Sequence, residues 1–242
     1  MKFFTTIAHE IRTPVSLIIG PMEQILRQAD QLPTTIRTHL GVVSRNSQRL
    51  LDLVNQLLDF RKIEQGTTGY HYRLQPIEPI IRSVVERFVP FVSQQGAVIE
   101  SYYPSDEVWA AVDKEAITKL VSNLMMNAAK YTHSKIWIEL KEDNSLQELP
   151  VPSFVIIVRD DGMGMTEEVR RRVFEPFYQA NDNKPGTGIG LSIVKNIVDI
   201  HQGHIDVKSQ SGVGTQFVVT LPLRRDDEES QDSLVSQNLA NE

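Results

Sequence analysis

Apolar side chains in the first quarter of the chain keep a helical beat. Phe4, Ile7, Ile11, Ile18 and Ile25 fall at three-, four- and seven-residue steps, with one heptad slot taken by Pro14. Ile36, Leu40, Val43, Leu50, Val54 and Leu57 repeat the pattern. With about 3.6 residues per turn, this spacing lays an apolar stripe along each of two long amphipathic helices. Gln28 to Pro33, containing Asp30 and Pro33, breaks the pattern as a turn, so the helices are expected to fold back as an antiparallel hairpin. Two helices cover only part of their stripes. Pairing with a second copy into a four-helix bundle covers the rest, which predicts a homodimer.

The beat stops at Gly66 to Gly69, and a mixed pattern begins. Pro76 to Gln95, Lys114 to Tyr131 and Leu191 to His201 read as helices, the last ended by Gly203. Ala97 to Tyr103, Lys135 to Lys141 and Phe154 to Val158 read as strands, and Ile205 with Val207 and Phe217 with Val219 and Leu221 flank the turn Ser211 to Gly214 as a hairpin. The expected organisation is α+β and multidomain: a helical hairpin over residues 1–66, a linker and first strand over 67–75, an α/β sandwich over 76–223, and a polar, acidic tail or linker over 224–242.

Composition narrows the chemistry. A net charge of −6 over 242 residues argues against general affinity for nucleic acid or anionic membrane, so a polyanionic ligand must be met by local dipoles and a few placed cations. With no cysteine, disulfides and thiolate metal sites are excluded, and a reducing compartment is the natural expectation. No run approaches the roughly 20 apolar residues that span a bilayer, and the pattern of a signal peptide is missing, so this fragment is expected to be soluble. Phe3 already reads as mid-helix without a preceding cap, which suggests that the segment begins inside a longer protein.

His9 begins the hexapeptide His-Glu-Ile-Arg-Thr-Pro. At roughly 100° per residue it lies about 160° from both Ile7 and Ile11, facing away from the stripe and open to another domain. Neutral imidazole, with a reference pKa near 6.5, keeps a lone pair able to attack phosphorus. Glu10 can hold the other ring proton and stabilise the imidazolium. Pro14 cannot donate to the Glu10 carbonyl and crowds it, so a bend is expected one turn beyond His9. The hexapeptide alone also permits a solvated surface histidine, the reading adopted for His39, His71, His133, His201 and His204.

Asn123, Asn127 and Lys130 stand at i, i+4 and i+7, a polar seam beside the apolar stripe of Ile117, Leu120, Leu124 and Ala128. Amide oxygens are hard ligands for Mg²⁺, and Lys130 supplies a point charge for phosphates, although the seam alone also reads as solvated surface. Asp160-Asp161-Gly162-Met163-Gly164 follows the apolar strand. A carboxylate there can accept from a purine's exocyclic amine, and Gly162 and Gly164 let backbone approach the ring, although Asp-Gly also marks ordinary turns. Gly186-Thr187-Gly188-Ile189-Gly190-Leu191 opens a helix whose free N–H groups suit a triphosphate. It is neither a Walker loop nor a dinucleotide fingerprint. Thr166 to Pro185, between the glycine loops, has the make-up of a hinged lid, with Phe174 and Phe177 either pinning it or serving as ordinary core.

Taken in order, these segments resemble a sensor histidine kinase of two-component signalling. Phe3 to Pro14 resembles the H box, Asn123 to Thr132 the N box, Asp160 to Gly164 and Gly186 to Leu191 two G boxes, Phe174 to Phe177 the F box, and Ser211 to Thr215 a third glycine box. The resemblance implies a dimerisation and phosphotransfer hairpin followed by an ATP-binding sandwich of the gyrase and chaperone kind. It implies ATP and Mg²⁺ as cofactors, His9 as phosphoacceptor, Glu10 as its acid-base neighbour, and Asn127, supported by Asn123, as metal ligand. Asp160 would contact adenine and Tyr131 would lie against it. Glu10 and Thr13 match the family's phosphatase signature. The implied partner is the aspartate-bearing receiver domain of a response regulator, and the wording around His9 resembles hybrid kinases that carry receiver and DNA-binding parts. The implied setting is the cytoplasmic portion of a membrane-anchored sensor. Where many relatives carry an F-box arginine this chain has Pro176 and Gln179, leaving Lys184 and Arg170 to Arg172 as candidate phosphate-facing cations. The rival readings are a gyrase- or chaperone-type ATPase that clamps a dimer, and a dimeric pseudokinase scaffold.

Overall fold

The computed structural model describes residues 3–27, 33–64, 70–143, 148–180 and 187–223. The chain divides into two compact units, Met1–Thr68 and Gly69–Glu242.

The first unit is two helices packed on each other, α1 (Phe3–Leu26) and α2 (Thr34–Glu64). The first runs unbroken through Pro14 and Pro21. Its buried side chains are Val15, Ile19 and Met22, and on α2 Val54 is buried with Ile11 packed against it. As expected of a hairpin that covers only part of its stripes, Ile18 and Ile25 on α1 and Ile36, Val43 and Leu50 on α2 are exposed within one chain. A long helix carries more apolar residues than one neighbour can cover, and the surplus forms a second stripe turned from the hairpin's own contact.

The second unit follows in the order β1 (Arg73–Pro76), α3 (Ile77–Gln94), β2 (Val98–Tyr102), β3 (Trp109–Val112), α4 (Lys114–Tyr131), β4 (Lys135–Asp143), β5 (Ser153–Asp160), α5 (Glu167–Arg172), α6 (Gly190–Ile200), β6 (His204–Gln210) and β7 (Gly214–Pro222). Five strands form one sheet in the order β2-β4-β5-β7-β6, with β2 parallel to β4 and the other pairs antiparallel. A small second sheet pairs β1 with β3, a strand that the sequence reading left unassigned. Helices α3, α4 and α6 pack on the large sheet and on one another. The core lies between these layers. Ile136, Ile138 and Leu140 alternate inward from β4, and Ile117, Leu120, Leu124 and Ala128 meet them from the stripe foreseen on α4. The fold is thus the expected α+β arrangement, a helical pair and a mixed sandwich. Among the described residues no helix is long and apolar enough to cross a membrane.

Residues 70–72, at the head of this unit, are fastened to two helices. The His71 N–H donates to Asp113 Oδ2 at 2.9 Å, while Asp113 Oδ1 caps α4 through the Ala116 N–H, also at 2.9 Å. The Tyr72 hydroxyl donates to the Ile200 carbonyl at the end of α6. His201 corrects the expectation of a solvated ring. It is 3% exposed, with Nδ1 2.8 Å from the Ile197 carbonyl and its edge against Tyr70 and Tyr72. The sequence hid this because the covering aromatics lie about 130 residues upstream.

Candidate functional site

The end of β5, the last turns of α4 and the start of α6 meet beside the sheet, where the second unit carries most of its site candidates. Asn123, Asn127, Lys130 and Tyr131 are half-buried on α4. The Asn123 side-chain amide donates to its own helix at the Lys119 carbonyl, 2.8 Å away, which orients its oxygen outward. That oxygen lies so close to Gly190 that a Cβ added there would stand 2.7 Å from it. A side chain at this position would have to displace the Asn123 amide, so glycine keeps the start of α6 against the seam. Lys130 Nζ sits over the Tyr131 ring at 4.8 Å.

Asp160 closes β5 and is 5% exposed. Its Oδ1 accepts from the Gly162 N–H at 2.9 Å. Burial pushes its carboxyl up to about 6, against the opposing pull of backbone N–H donors from Gly162 and Thr215. Asp161, its neighbour, behaves oppositely. Although desolvation disfavours its charge, donors from Ser134, Thr132 and Lys135 hold it well below the usual carboxylate range. Gly162 is walled by the Tyr131 carbonyl, which a Cβ would meet at 2.1 Å. Gly164, at φ +63°, is walled by the Gln210 carbonyl, 1.9 Å from a Cβ. The third glycine turn joins this wall: the Gly212 N–H donates to the Met163 carbonyl at 2.7 Å, and Thr215 pairs with Asp160 across the β5–β7 ladder.

In the second glycine loop, Thr187 Oγ1 accepts from the Ile189 N–H at 3.2 Å, and α6 begins at Gly190 with half-buried Leu191 next. Its cap residue, Ile189, makes no side-chain cap bond, so it leaves the first N–H groups of α6 uncapped by its own side chain. Gly188, at φ +71°, lets the loop run against Phe177, whose N–H donates to the Gly188 carbonyl at 2.9 Å. Of the two aromatics expected in a lid, Phe174 meets Phe217 of the sheet edge-on at 6.3 Å, while Phe177 is 58% exposed at φ +65°. Arg170 and Arg171 pair with Glu167, whereas Arg172 pairs with Glu175 and lies over the Tyr178 ring. Lys184 and Gly186 lie outside the described residues. So do the side chains of His9, Glu10 and Thr13, whose backbone belongs to α1.

Sequence reasoning missed Asp161 and Thr215. The doublet Asp160-Asp161 does not say which carboxylate faces inward until the strand's register is known.

Among the described residues no cluster of three or more His, Cys, Asp or Glu side chains could hold a metal. The oxygens of Asn123 and Asn127 fit a hard ion that draws its remaining ligands from phosphates and water.

Residues 1–66 match the His Kinase A (phospho-acceptor) domain, and residues 112–225 match the histidine kinase-, DNA gyrase B- and HSP90-like ATPase. The hybrid signal transduction histidine kinase D of Dictyostelium discoideum is 31% identical over 226 residues, 92% of this chain and 15% of that protein. The sensor histidine kinase TmoS of Ectopseudomonas mendocina is 34% identical over 226 residues, 91% of this chain and 23% of that one. The chain thus spans less than a quarter of either relative's length. Full-length ShkA, solved in complex with AMPPNP, shares the fold, with a TM-score of 0.76 at 24% identity over 91% of this chain and 45% of that one. With a phospho-acceptor helix pair followed by an ATPase unit in one polypeptide, the chain belongs to the histidine kinases of two-component signalling.

Proposed function

We propose that the chain is the kinase core of a larger signalling protein, which phosphorylates His9 from ATP and passes the phosphoryl group to an aspartate of a response-regulator receiver domain. The observation that carries this reading is the buried Asp160 carboxylate, set beside a polar α4 seam and glycine-relieved walls in a chain that also bears a phospho-acceptor helix. Asp160 accepts from the adenine amine, with Gly162 and Gly164 giving the ring room and Tyr131 lying alongside. The phosphates are assigned to Lys130, Lys184 and the loop of Gly186, Thr187, Gly188, Gly190 and Leu191. Asn127, with Asn123, holds Mg²⁺, which neutralises charge on the phosphate oxygens when bound.

A ring nitrogen of His9 attacks the γ-phosphorus. The N–P bond forms, the bond from that phosphorus to the bridging oxygen of ADP breaks, and Glu10 takes the proton from the other ring nitrogen. In the second step a receiver carboxylate oxygen displaces the histidine, which recovers its proton. Thr13 with Glu10 can orient water toward the phosphorylated regulator, giving a phosphatase activity. The exposed stripe of Ile18, Ile25, Ile36, Val43 and Leu50 supports pairing of two copies into a four-helix bundle. A dimer-clamping ATPase would need no phospho-acceptor helix, which disfavours that alternative.

The deciding measurement is acid-labile, base-stable label on the chain after Mg-ATP is added. His9→Gln and Asn127→Ala are each expected to abolish it while leaving the dimer intact. Label that persists in His9→Gln overturns the phosphoacceptor assignment, and unchanged labelling in Asn127→Ala overturns the metal assignment. A mixture of the two variants reports whether one subunit phosphorylates the other.

A further inference from the structure

The carboxylate of Asp161 collects more donors than any other described side chain, and all come from one turn. Oδ1 accepts from Thr132 Oγ1 at 2.7 Å, from the His133 N–H at 2.9 Å, from the Ser134 N–H at 3.0 Å and from the Lys135 N–H at 3.1 Å. Oδ2 takes the Ser134 hydroxyl at 2.5 Å. The Asp161 N–H in turn donates to the Lys135 carbonyl. Residues 132–135 are the turn that ends α4 and starts β4, so one carboxylate of the β5 end loop holds the whole exit of α4.

The next residue completes the dock. Gly162 rests directly on the Tyr131 carbonyl, the last of α4, and its N–H holds Asp160 Oδ1. Two neighbouring carboxylates thus divide the work. Asp160 turns into the site with few donors, while Asp161 turns the opposite way and is saturated. Such a multiply donated carboxylate is strong and directional, because each bond is charge-assisted and the set over-determines its position.

We propose that Asp161 is a positioning residue for the nucleotide: it sets the distance between the Asp160 end, which takes the adenine, and the Asn127–Lys130 seam, which takes the phosphates and metal. This rests on the nucleotide reading above. ADP must satisfy both ends at once, so an error in their spacing weakens its binding. Adenosine, which meets Asp160 and Tyr131 but neither the Asn127–Lys130 seam nor the phosphate loop, senses that spacing far less than Mg-ADP does.

The test uses the full chain and calorimetric titration with Mg-ADP and, separately, with adenosine. Asp161→Asn is expected to weaken Mg-ADP by about tenfold while changing adenosine by less than about threefold. Thr132→Val with Ser134→Ala, which removes two donors and leaves the carboxylate, is expected to reproduce that change in ratio. Combining all three substitutions should add little, because they break one clasp. Equal loss of both ligands in Asp161→Asn means general loosening and overturns the proposal. A donor-side variant that binds Mg-ADP like the parent makes Asp161 a direct contact, and also overturns it. Should Asp161→Asn fail to fold, Thr132→Val alone carries the same ratio test. Asp160→Asn separates the two readings: if it keeps full Mg-ADP affinity, the nucleotide site itself is misplaced, whatever Asp161 does.

Discussion

Asp160 is a buried acid held near the pH at which the protein must work. Its carboxyl is raised from 3.8 to about 6 because burial penalises the charge. The folded chain therefore binds that proton more tightly than the unfolded one. The resulting stabilisation is fully present below about pH 4 and is lost as the pH rises through about 6. At pH 7.5 the buried charge costs about 3 kcal/mol, taking about 1.4 kcal/mol for each unit. Asp160→Asn is accordingly expected to raise the melting temperature of the nucleotide-free protein at pH 7.5 by several degrees, with little difference at pH 3, while weakening Mg-ADP binding. Calorimetry at the two pH values checks this; a variant less stable at pH 7.5 would mean that the donors from Gly162 and Thr215 outweigh burial. The motif made Asp160 legible in the sequence as a candidate, since a carboxylate before spaced glycines at a strand end is a local pattern. Asp161 was not legible in this sense. Its donors lie 26 to 29 residues upstream, and only the α4–β4 turn brings them to it.

At the scale of elements, α4 and α6 organise the second unit. Asn123 in the middle of α4 meets the start of α6 at Gly190, whereas the start of α4 and the end of α6 are joined through His71 and Tyr72. The two helices therefore run in opposite directions, with the nucleotide candidates at one end and the first residues of the unit at the other. His201 closes that far end, buried among Tyr70 and Tyr72. Truncating it to alanine should destabilise the unit by about 2–3 kcal/mol through lost packing. Urea denaturation followed by tryptophan emission reads this unit alone, because Trp109 and Trp137 both belong to it. A loss under about 0.5 kcal/mol, the range of ordinary surface substitutions, would mean that the aromatic cluster does not fasten the helices. Helices and strands in this unit were readable because α4 and β4 each bury one continuous face and β5 is apolar almost without a break. The short β3 was not, since its Trp-Ala-Ala-Val run has neither alternation nor length to distinguish it.

At the scale of the whole molecule, the two units differ in how completely they cover their apolar surface. The sandwich encloses its core, whereas the helical pair leaves Ile18, Ile25, Ile36, Val43 and Leu50 in the open. Introducing charge on that stripe, as Val43→Glu with Leu50→Glu, should convert a dimer to a monomer without unfolding the sandwich. Light scattering reads the first change and tryptophan emission the second. A variant that stays dimeric would place the subunit contact elsewhere. What the sequence determined by itself is whatever depends on local period and local chemistry: two amphipathic helices, a change of pattern near Gly66, a histidine with its acidic neighbour, and glycines where backbone must pass close. What only tertiary structure decided is which apolar residues the hairpin covers internally, which donors hold the second of two adjacent aspartates, and which histidine is buried. Each of these depends on partners distant along the chain, and periodicity records a face without recording what comes to cover it.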